Sequence, residues 1–292
     1  MKRLAIFGNK SQKAGFDRLK SLFDLLEENA DTLSIAIQRR YMAFLQHTIG
    51  LDPDRYDIFD FYDGDADIAL SIGGDGTFLT TAANVGAYET PILGINSGHL
   101  GYLAAAELND MHEIVREIIE EDYIIEERSL IAVECSQPID LVRAFALNEV
   151  AILKQDTASM ITIATSVDGR QLANYRGDGL IISTPTGSTG YNLSVGGPII
   201  APTATDWVVA PIAPHSLTMR PLVMTDNHIM EISTQSRADT FLLSVDGKAT
   251  QLPLDVKVTL RKADHAVNVV LRRGYNFVDG LRAKLLWGID NL

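Results

Sequence analysis

The hydrophobic periodicity of this 292-residue chain changes near Tyr123, and this change constrains the fold more than any other feature of the sequence. Before residue 123, short apolar runs typical of strands alternate with segments whose apolar residues recur at helical spacing. The strand-like runs are 4–7, 66–72 and 91–95, and the helix-like segments are 16–27, 78–85 and 111–121. This alternation predicts an α/β N-terminal domain with a largely parallel sheet.

From residue 123 to residue 265 the chain instead contains many short β segments, and long helical periodicity is absent. Two Asp-Gly pairs, Asp168-Gly169 and Asp246-Gly247, each lie between strand-like runs and predict β-hairpins. These signals predict a β-rich, sandwich-like C-terminal domain. The expected domains are residues 1–122 together with 266–292, and residues 123–265.

Composition limits the class of protein further. Apolar residues make up 46% of the chain, which is enough to build sizeable hydrophobic cores. The formal net charge of −13 argues against a nucleic-acid-binding protein, for which a basic face is expected. The single cysteine, Cys135, fits a reducing compartment, and the chain has no run of about 18 apolar residues that would predict a membrane-spanning helix. We therefore expect a cytoplasmic protein that binds neither nucleic acid nor a membrane.

The most informative motif is Gly73-Gly74-Asp75-Gly76-Thr77, which follows a strand-like run and precedes a helix-like segment. Glycines let the backbone approach a phosphate closely, and the N-terminus of the following helix attracts anions. The carboxylate of Asp75 repels a phosphate, so its presence makes sense if it accepts a proton or meets a Mg²⁺ ion. The alternative is a glycine-rich turn in which Asp75 or Thr77 caps the helix.

A second motif extends from Gly177 to Tyr191 and joins an apolar run to a loop rich in Gly, Ser and Thr. Its sequence is GDGLIISTPTGSTGY, and residues 194–198 extend the same irregular region. The hydroxyls and backbone amides of the loop, together with Tyr191, suit a polar ligand that carries a flat base. The alternative is a long surface loop with ordinary turn chemistry.

The pair Asn148-Glu149 lies between two apolar runs and forms a third motif. An amide and a carboxylate are costly to bury without partners, and ribose hydroxyls are good partners for both. The alternative is the end of a strand that reaches solvent.

Taken together and in this order, the motifs resemble those of the NAD kinase family. The matching stretches are 73–77, 94–102, 148–149, 178–198, 215–221 and 244–247. The resemblance implies an α/β domain followed by a β-rich domain, and transfer of the terminal phosphoryl group of ATP to the 2′-hydroxyl of the adenosine ribose of NAD. It also implies Mg²⁺ or another divalent cation as cofactor, no fixed metal site in the protein itself, and a homodimer or homotetramer.

The resemblance further implies roles for individual residues. Asp75 is the expected general base, and Gly73, Gly74 and Gly76 are expected to lie against the phosphates of ATP. Tyr102 matches a family aromatic residue, usually Phe, near the adenine of NAD. The other residues at NAD-binding positions of the family are Asn148, Glu149, Asp178, Thr189, Gly190, Tyr191, Asn192, Leu193, Ser194 and Asp246.

Two positions depart from the family pattern. The family usually has alanine where this chain has Gly190, a small loss of side chain that we expect to be harmless. Many members have glutamine where this chain has Lys248, so no ligand role is carried over to Lys248. In addition, Gly177 presents no side chain beside Asp178, which suggests some tolerance for the reduced cofactor NADH.

Three other functions stay open on the sequence alone. A lipid or sugar-phosphate kinase with the same Gly-Gly-Asp-Gly motif is the nearest, although Asn148-Glu149 and the loop 186–191 favour NAD. A non-catalytic dinucleotide sensor would gain nothing from Asp75 beside phosphates. A Rossmann dehydrogenase would need Gly-x-Gly-x-x-Gly after the first strand, where this chain has Gly8-Asn9-Lys10-Ser11.

Overall fold

The structure is a computed structural model that describes residues 1–10, 15–97, 101–156, 159–285 and 287–288. The chain divides into two compact units, the first formed by Met1–Glu127 with Val267–Leu292 and the second by Arg128–Ala266. Residues 98–100 of the predicted motif 94–102, and residues 286 and 289–292 of the C-terminal segment, lie outside the described residues. In the described part of the chain, no helix is long and apolar enough to cross a membrane.

The first unit begins with alternating strands and helices, as the sequence predicts. The strands are β1 (Lys2–Gly8), β2 (Leu33–Gln38), β3 (Asp57–Phe59), β4 (Ile68–Gly73), β5 (Ile92–Asn96), β6 (Ala106–Glu107) and β7 (Tyr123–Arg128). The helices are α1 (Phe16–Glu28), α2 (Arg39–Ile49), α3 (Asp75–Val85) and α4 (Met111–Glu120). Every residue of β4 is buried, as expected for a central strand that is covered on both faces.

The second unit is an antiparallel sandwich. Its strands are β8 (Ile131–Cys135), β9 (Phe145–Ala146), β10 (Glu149–Lys154), β11 (Ile161–Val167), β12 (Arg170–Gly177), β13 (Gly179–Ser183), β14 (Asp206–Ile212), β15 (Leu222–Thr225), β16 (Met230–Gln235), β17 (Thr240–Val245), β18 (Lys248–Pro253) and β19 (Val258–Lys262). One sheet has the order β15-β14-β13-β10-β17-β18, and the other has the order β12-β11-β16-β19-β8-β9. Trp207 and Phe241 of the first sheet share one buried core with Met230 and Leu260 of the second.

A 3₁₀ turn (Thr186–Thr189) and a short helix, α5 (Tyr191–Ser194), follow β13 in the second unit. The chain then completes the first unit with β20 (Val267–Arg272) and α6 (Phe277–Leu285).

The sheet of the first unit has the strand order β3-β2-β1-β4-β5-β20-β7, and β6 pairs with β5. The pairs that join β3, β2, β1, β4 and β5 are all parallel. The chain adds β2 and β3 on one side of β1 and then crosses to place β4 and β5 on the other side. The topological switch point therefore lies between β1 and β4, where open α/β sheets bind ligands outside the carboxyl ends of their strands. Gly8 and Gly73 end these two strands.

The predicted fold class is confirmed, but two local expectations differ from the structure. The sequence assigns no element between residues 28 and 65, where the structure has β2, α2 and β3. The apolar stripe of α2 is short, because its buried residues are Tyr41, Met42 and Leu45. In addition, β7 lies at the edge of the sheet of the first unit, next to β20, although the sequence places residue 123 at the start of the β-rich domain. A strand pattern does not reveal which sheet the strand joins.

Candidate active site

The glycine motif forms the connection between β4 and α3 at the switch point. Gly74 is the N-cap residue of α3, and Phe78 N donates to Gly74 O at 3.1 Å. A β-carbon at Gly73 would lie 2.3 Å from Thr77 Oγ1, so close packing requires glycine there. Apart from chain neighbours and the backbone of α3 itself, no described atom lies within 4 Å of a β-carbon placed at Gly74 or Gly76. The backbone at these two glycines is therefore open to a ligand, at the positive end of the α3 dipole.

The carboxylate of Asp75 is held by a segment far along the chain. Its Oδ2 accepts a hydrogen bond from Tyr102 N at 2.8 Å, and its Oδ1 accepts one from Leu103 N at 3.0 Å. The backbone of Gly101 packs closely against this carboxylate, because a β-carbon at Gly101 would lie 2.4 Å from Asp75 Oδ1. The simple capping alternative is wrong for Asp75, since the N-cap is Gly74 and the carboxylate bonds outside its own helix. Each oxygen keeps a lone pair, and the partly exposed carboxylate has a fixed orientation.

One polar residue near this carboxylate carries no sequence signal. Lys284 of α6 donates to Tyr102 O and Ala104 O, on the segment that also binds Asp75. It lies 182 residues from Tyr102 in the chain, so only the return of α6 to the first unit reveals the contact.

In the second unit, Asp246 organises the corner that contains Asn148 and Glu149. Asp246 and Gly247 both have positive φ, 46° and 73°, and form the tight turn between β17 and β18. The Asp246 carboxylate accepts three backbone N–H groups: from Leu147 at 2.9 Å, Asn148 at 2.8 Å and Glu149 at 3.1 Å.

The same carboxylate is paired with a buried cation. Arg143 Nη1 lies 3.6 Å from Asp246 Oδ2, and both side chains are less than a tenth exposed. Burial raises the pKa of Asp246, and its three N–H donors and Arg143 oppose that rise. The predicted hairpin at Asp246 is thus confirmed, and the turn also fixes the backbone of the Asn148-Glu149 pair.

Glu149 is a buried carboxyl group with an unused acceptor. The residue is 9% exposed, so the alternative in which it reaches solvent is wrong. Glu149 Oε2 and Asn148 Oδ1 are buried without a hydrogen-bond partner in the described structure. Burial, together with the charge of Asp246, raises the pKa of Glu149 to about 7, and the N–H of Tyr191 opposes this rise. Two adjacent unsatisfied acceptors are costly in a folded protein and mark a place where ligand hydroxyl groups would bind.

We expect Glu149→Gln to stabilise the unliganded protein in a pH-dependent way. The folded pKa of about 7 exceeds the ordinary value of 4.5, so the wild-type protein loses stability as pH rises from 4.5 to 7. Glutamine has no charge to bury, so above pH 7 the free energy of unfolding of the variant should exceed that of wild type by up to about 3 kcal/mol. Denaturant titrations at pH 5 and pH 8 measure the difference. Glu134→Gln, at an exposed site of the same unit, is the control, and an equal effect in both variants would contradict the assignment.

Residues 184–188 of the Ser/Thr-rich loop are buried, so the surface-loop alternative is wrong for this part of the loop. Thr184 and Ser188 are fully buried, and Thr184 Oγ1 donates to Leu147 O at 2.5 Å. A β-carbon at Gly187 would lie 2.0 Å from Asn148 O, which shows how closely the 3₁₀ turn packs on the Asn148 corner. The loop is therefore part of the same structural cluster as Glu149.

The predicted NAD-binding residues of this loop differ in what they expose. The Asn192 side chain is fully buried and donates to Ser188 O and Pro198 O, so it holds the loop together. Tyr191 is 41% exposed, and Ser194 is also exposed. A β-carbon at Gly190, where the family usually has alanine, would lie 3.1 Å from Glu149 Oε2. Glycine therefore leaves more room beside this carboxyl group.

Asp178 lies apart from this cluster within its own unit. In the pairing of β10 with β13, Glu149 lies opposite Ser183 and Leu153 lies opposite Gly179. Asp178 therefore lies at the far end of β13, more than about 10 Å from Glu149 at the usual strand rise. It forms an ion pair with Lys154 at 2.6 Å.

The lack of a side chain at Gly177 has a structural reason. A β-carbon there would lie 2.7 Å from Ile212 O and 2.8 Å from Ala213 O. Close packing thus requires glycine whether or not a ligand is bound, and tolerance for NADH stays a prediction.

Two family models match the chain, and together they cover most of it. The ATP-NAD kinase N-terminal domain matches residues 6–123. The ATP-NAD kinase C-terminal domain matches residues 147–271. These two models place the chain among enzymes that phosphorylate a nucleotide.

Full-length relatives make the assignment specific. The chain is 43% identical to the NAD kinase of Bacteroides fragilis over 289 residues, and the match covers 99% of each chain. It is 38% identical to the NAD kinase of Porphyromonas gingivalis over 288 residues, again 99% of each chain. The chain therefore belongs to the NAD kinase family, and the resemblance inferred from the motifs is confirmed.

Two solved structures share this fold. Yeast NADH kinase in complex with NADH matches with a TM-score of 0.87 at 21% identity, covering 99% of this chain and 89% of that one, and this likeness supports the fold. An NAD kinase from Archaeoglobus fulgidus in complex with ATP matches with a TM-score of 0.70 at 25% identity, covering 96% of this chain and 99% of that one.

Proposed function

We propose that Asp75 is the general base of the reaction. As a member of the NAD kinase family, the chain is a phosphotransferase that converts NAD to NADP with ATP. One observation carries the proposal for Asp75. A carboxylate occupies the first position of α3, between two glycines, and a backbone N–H orients each of its oxygens.

In the proposed reaction, Asp75 accepts the proton of the 2′-hydroxyl of the adenosine ribose as that oxygen attacks the terminal phosphorus of ATP. The new P–O bond forms to the ribose, the P–O bond to the β-phosphate breaks, and ADP leaves with the electron pair. A positioned base contributes about 10²–10⁴-fold to such a step. Most of the remaining rate enhancement in phosphoryl transfer comes from positioning and from stabilisation of charge.

The phosphates of ATP are assigned to the glycine motif. Gly73, Gly74 and Gly76 lie at the carboxyl end of β4, beside the topological switch point of the sheet. The open backbone at Gly74 and Gly76 and the N-terminus of α3 support this assignment, because both favour close approach of an anion.

The ribose and base of NAD are assigned to the remaining predicted residues. The unsatisfied acceptors of Asn148 and Glu149 suit ribose hydroxyls, and the exposed ring of Tyr191 suits a flat base. Tyr102 is assigned to the adenine by its family match. Thr189, Gly190, Leu193 and Ser194 lie on the same segment as Tyr191 and complete the contact surface. Asn192 and Asp246 would contribute by holding these groups in place.

A divalent cation, Mg²⁺ or another, is expected with ATP, and the residues present fit it. Such an ion is usually held by one or two carboxylates together with substrate phosphates and waters. The partly exposed Asp75 carboxylate, with one N–H donor on each oxygen, can supply such a ligand. When bound, the cation screens the phosphate charge and stabilises the charge that develops during transfer. No group of three or more His, Cys, Asp or Glu residues suited to a metal occurs in the described ranges.

The active form is proposed to be a homodimer or homotetramer in the cytoplasm. Leu217, Leu222 and Val223 are exposed apolar residues in and just before the edge strand β15, and such residues suit an interface between copies. The position of Asp178 away from Glu149 also fits a site to which a second copy contributes. Light scattering measures the mass, and a monomer that is fully active would refute this part of the proposal.

The activity itself is tested by mixing the purified protein with ATP, Mg²⁺ and NAD and detecting NADP with an NADP-specific dehydrogenase. We expect NADP to accumulate in proportion to ADP. Binding of NAD without NADP formation would favour the dinucleotide-sensor alternative. ADP formation without NADP, when a lipid or sugar phosphate is supplied, would favour a different kinase.

A further inference from the structure

Helix α6 brings a partly buried cation to the segment 102–104. Lys284 Nζ donates hydrogen bonds to Ala104 O at 3.0 Å and to Tyr102 O at 3.3 Å. The same nitrogen lies 5.4 Å from the centroid of the Tyr102 ring, which is within the range of a cation–π contact. Phe277, at the start of α6, meets the Tyr102 ring edge-on, with the two ring centroids 6.5 Å apart. The helix therefore holds both the backbone and the side chain of Tyr102.

The N–H groups of this segment are used by Asp75. Tyr102 N and Leu103 N donate to the two carboxylate oxygens, while the carbonyl groups of Tyr102 and Ala104 accept from Lys284. The peptide group that joins Tyr102 to Leu103 therefore bonds to both side chains, because its C=O accepts from Lys284 and its N–H donates to Asp75 Oδ1. Because a peptide group is rigid, a shift of Tyr102 O moves the Leu103 N–H that helps to orient Asp75.

The electrostatics of Lys284 support this link. Burial lowers the pKa of Lys284, and the charges of Asp75 and Glu107 favour its protonated form. A lysine is seldom buried without partners, and here the partners are two carbonyl groups and a nearby carboxylate of the candidate site.

We propose that Lys284 is a positioning residue that fixes the 102–104 backbone and thereby the orientation of the Asp75 carboxylate. The inference rests on the proposed role of Asp75 as general base. Lys284 acts through the peptide group that joins Tyr102 to Leu103. A role confined to anchoring α6 would change stability and leave the turnover of the folded enzyme intact.

The first test compares Lys284→Met and Lys284→Arg with wild type by steady-state NADP formation. Methionine keeps the length of the side chain and removes the donors, so kcat should fall about 10- to 100-fold with little change in KM for ATP. Arginine can donate to both carbonyl groups and stack on Tyr102, and should restore kcat to within about threefold of wild type. Arg282→Met, at an exposed position of the same helix and with the same change in charge, should leave kcat unchanged.

A double-mutant cycle with Asp75→Asn separates this inference from the base assignment. If Lys284 acts through Asp75, adding Lys284→Met to the Asp75→Asn variant should lower kcat little further. An undiminished kcat in Lys284→Met would overturn the positioning role, and so would equal rate losses in both backgrounds. Failure of the base assignment has a different signature, namely an active Asp75→Asn protein. If Lys284→Met does not fold, Lys284→Gln gives the same comparison.

Discussion

Replacing Asp75 by asparagine should lower kcat about 10²–10⁴-fold and leave the fold intact. Asparagine has nearly the same shape but cannot accept the proton of the ribose hydroxyl at neutral pH. Its side chain can still accept one of the two N–H groups, from Tyr102 or Leu103, while its amide nitrogen faces the other donor. We therefore expect a stability loss of about 1–3 kcal/mol, which leaves enough folded protein for a rate measurement.

The measurement is NADP formation by purified Asp75→Asn, with circular dichroism to confirm the fold. Asp17→Asn is the matched control, because Asp17 also lies in the first turn of a helix, α1. It experiences a similar helix dipole but lies outside the glycine motif, and its turnover should equal that of wild type. Wild-type turnover in Asp75→Asn would refute the base assignment and would indicate that Asp75 has only a structural role in the glycine motif.

Some parts of the candidate site could be predicted from the sequence because they are formed by residues that are adjacent in the chain. The glycine motif places Asp75 at a strand-to-helix connection, and the Asp246-Gly247 pair predicts the hairpin that the structure confirms. Helix α3 begins at Asp75, three residues before the predicted start at Phe78, because Gly74 provides the N-cap.

The contacts that orient the site could not be predicted, because they join distant parts of the chain. Asp75 is bound by N–H groups 27 and 28 residues away, and Asp246 caps N–H groups 97 to 99 residues away. Spacing rules describe neighbours within one helix or hairpin and give no information on such pairs. The burial of Asn192 could not be predicted either, because polar side chains are usually exposed. In the structure the Asn192 side chain is buried and donates to two carbonyl groups of the loop.

Replacing Asp246 by alanine should reduce the free energy of unfolding by about 3–5 kcal/mol, the largest stability effect that we expect in the second unit. The change leaves three backbone N–H groups without their acceptor and removes the carboxylate that pairs with the buried guanidinium of Arg143. The loss is partly offset because burial already raises the pKa of Asp246, so its ionised form carries a desolvation cost in the wild type. Because the freed N–H groups belong to the Asn148-Glu149 corner, KM for NAD should rise as well.

The control is Asp168→Ala, which makes the same substitution in the other Asp-Gly hairpin. Asp168 and Asp246 have nearly the same φ, 48° and 46°, and each precedes a glycine with positive φ, so the backbone strain of alanine is matched. Asp168 is exposed and bonds to His228 and Ile229 at the surface, so its loss should cost much less and leave KM for NAD unchanged. Denaturant titrations of both variants isolate the contribution of the buried network. Equal losses in the two hairpins would mean that the turn conformation, rather than the carboxylate of Asp246, stabilises the Asn148-Glu149 corner.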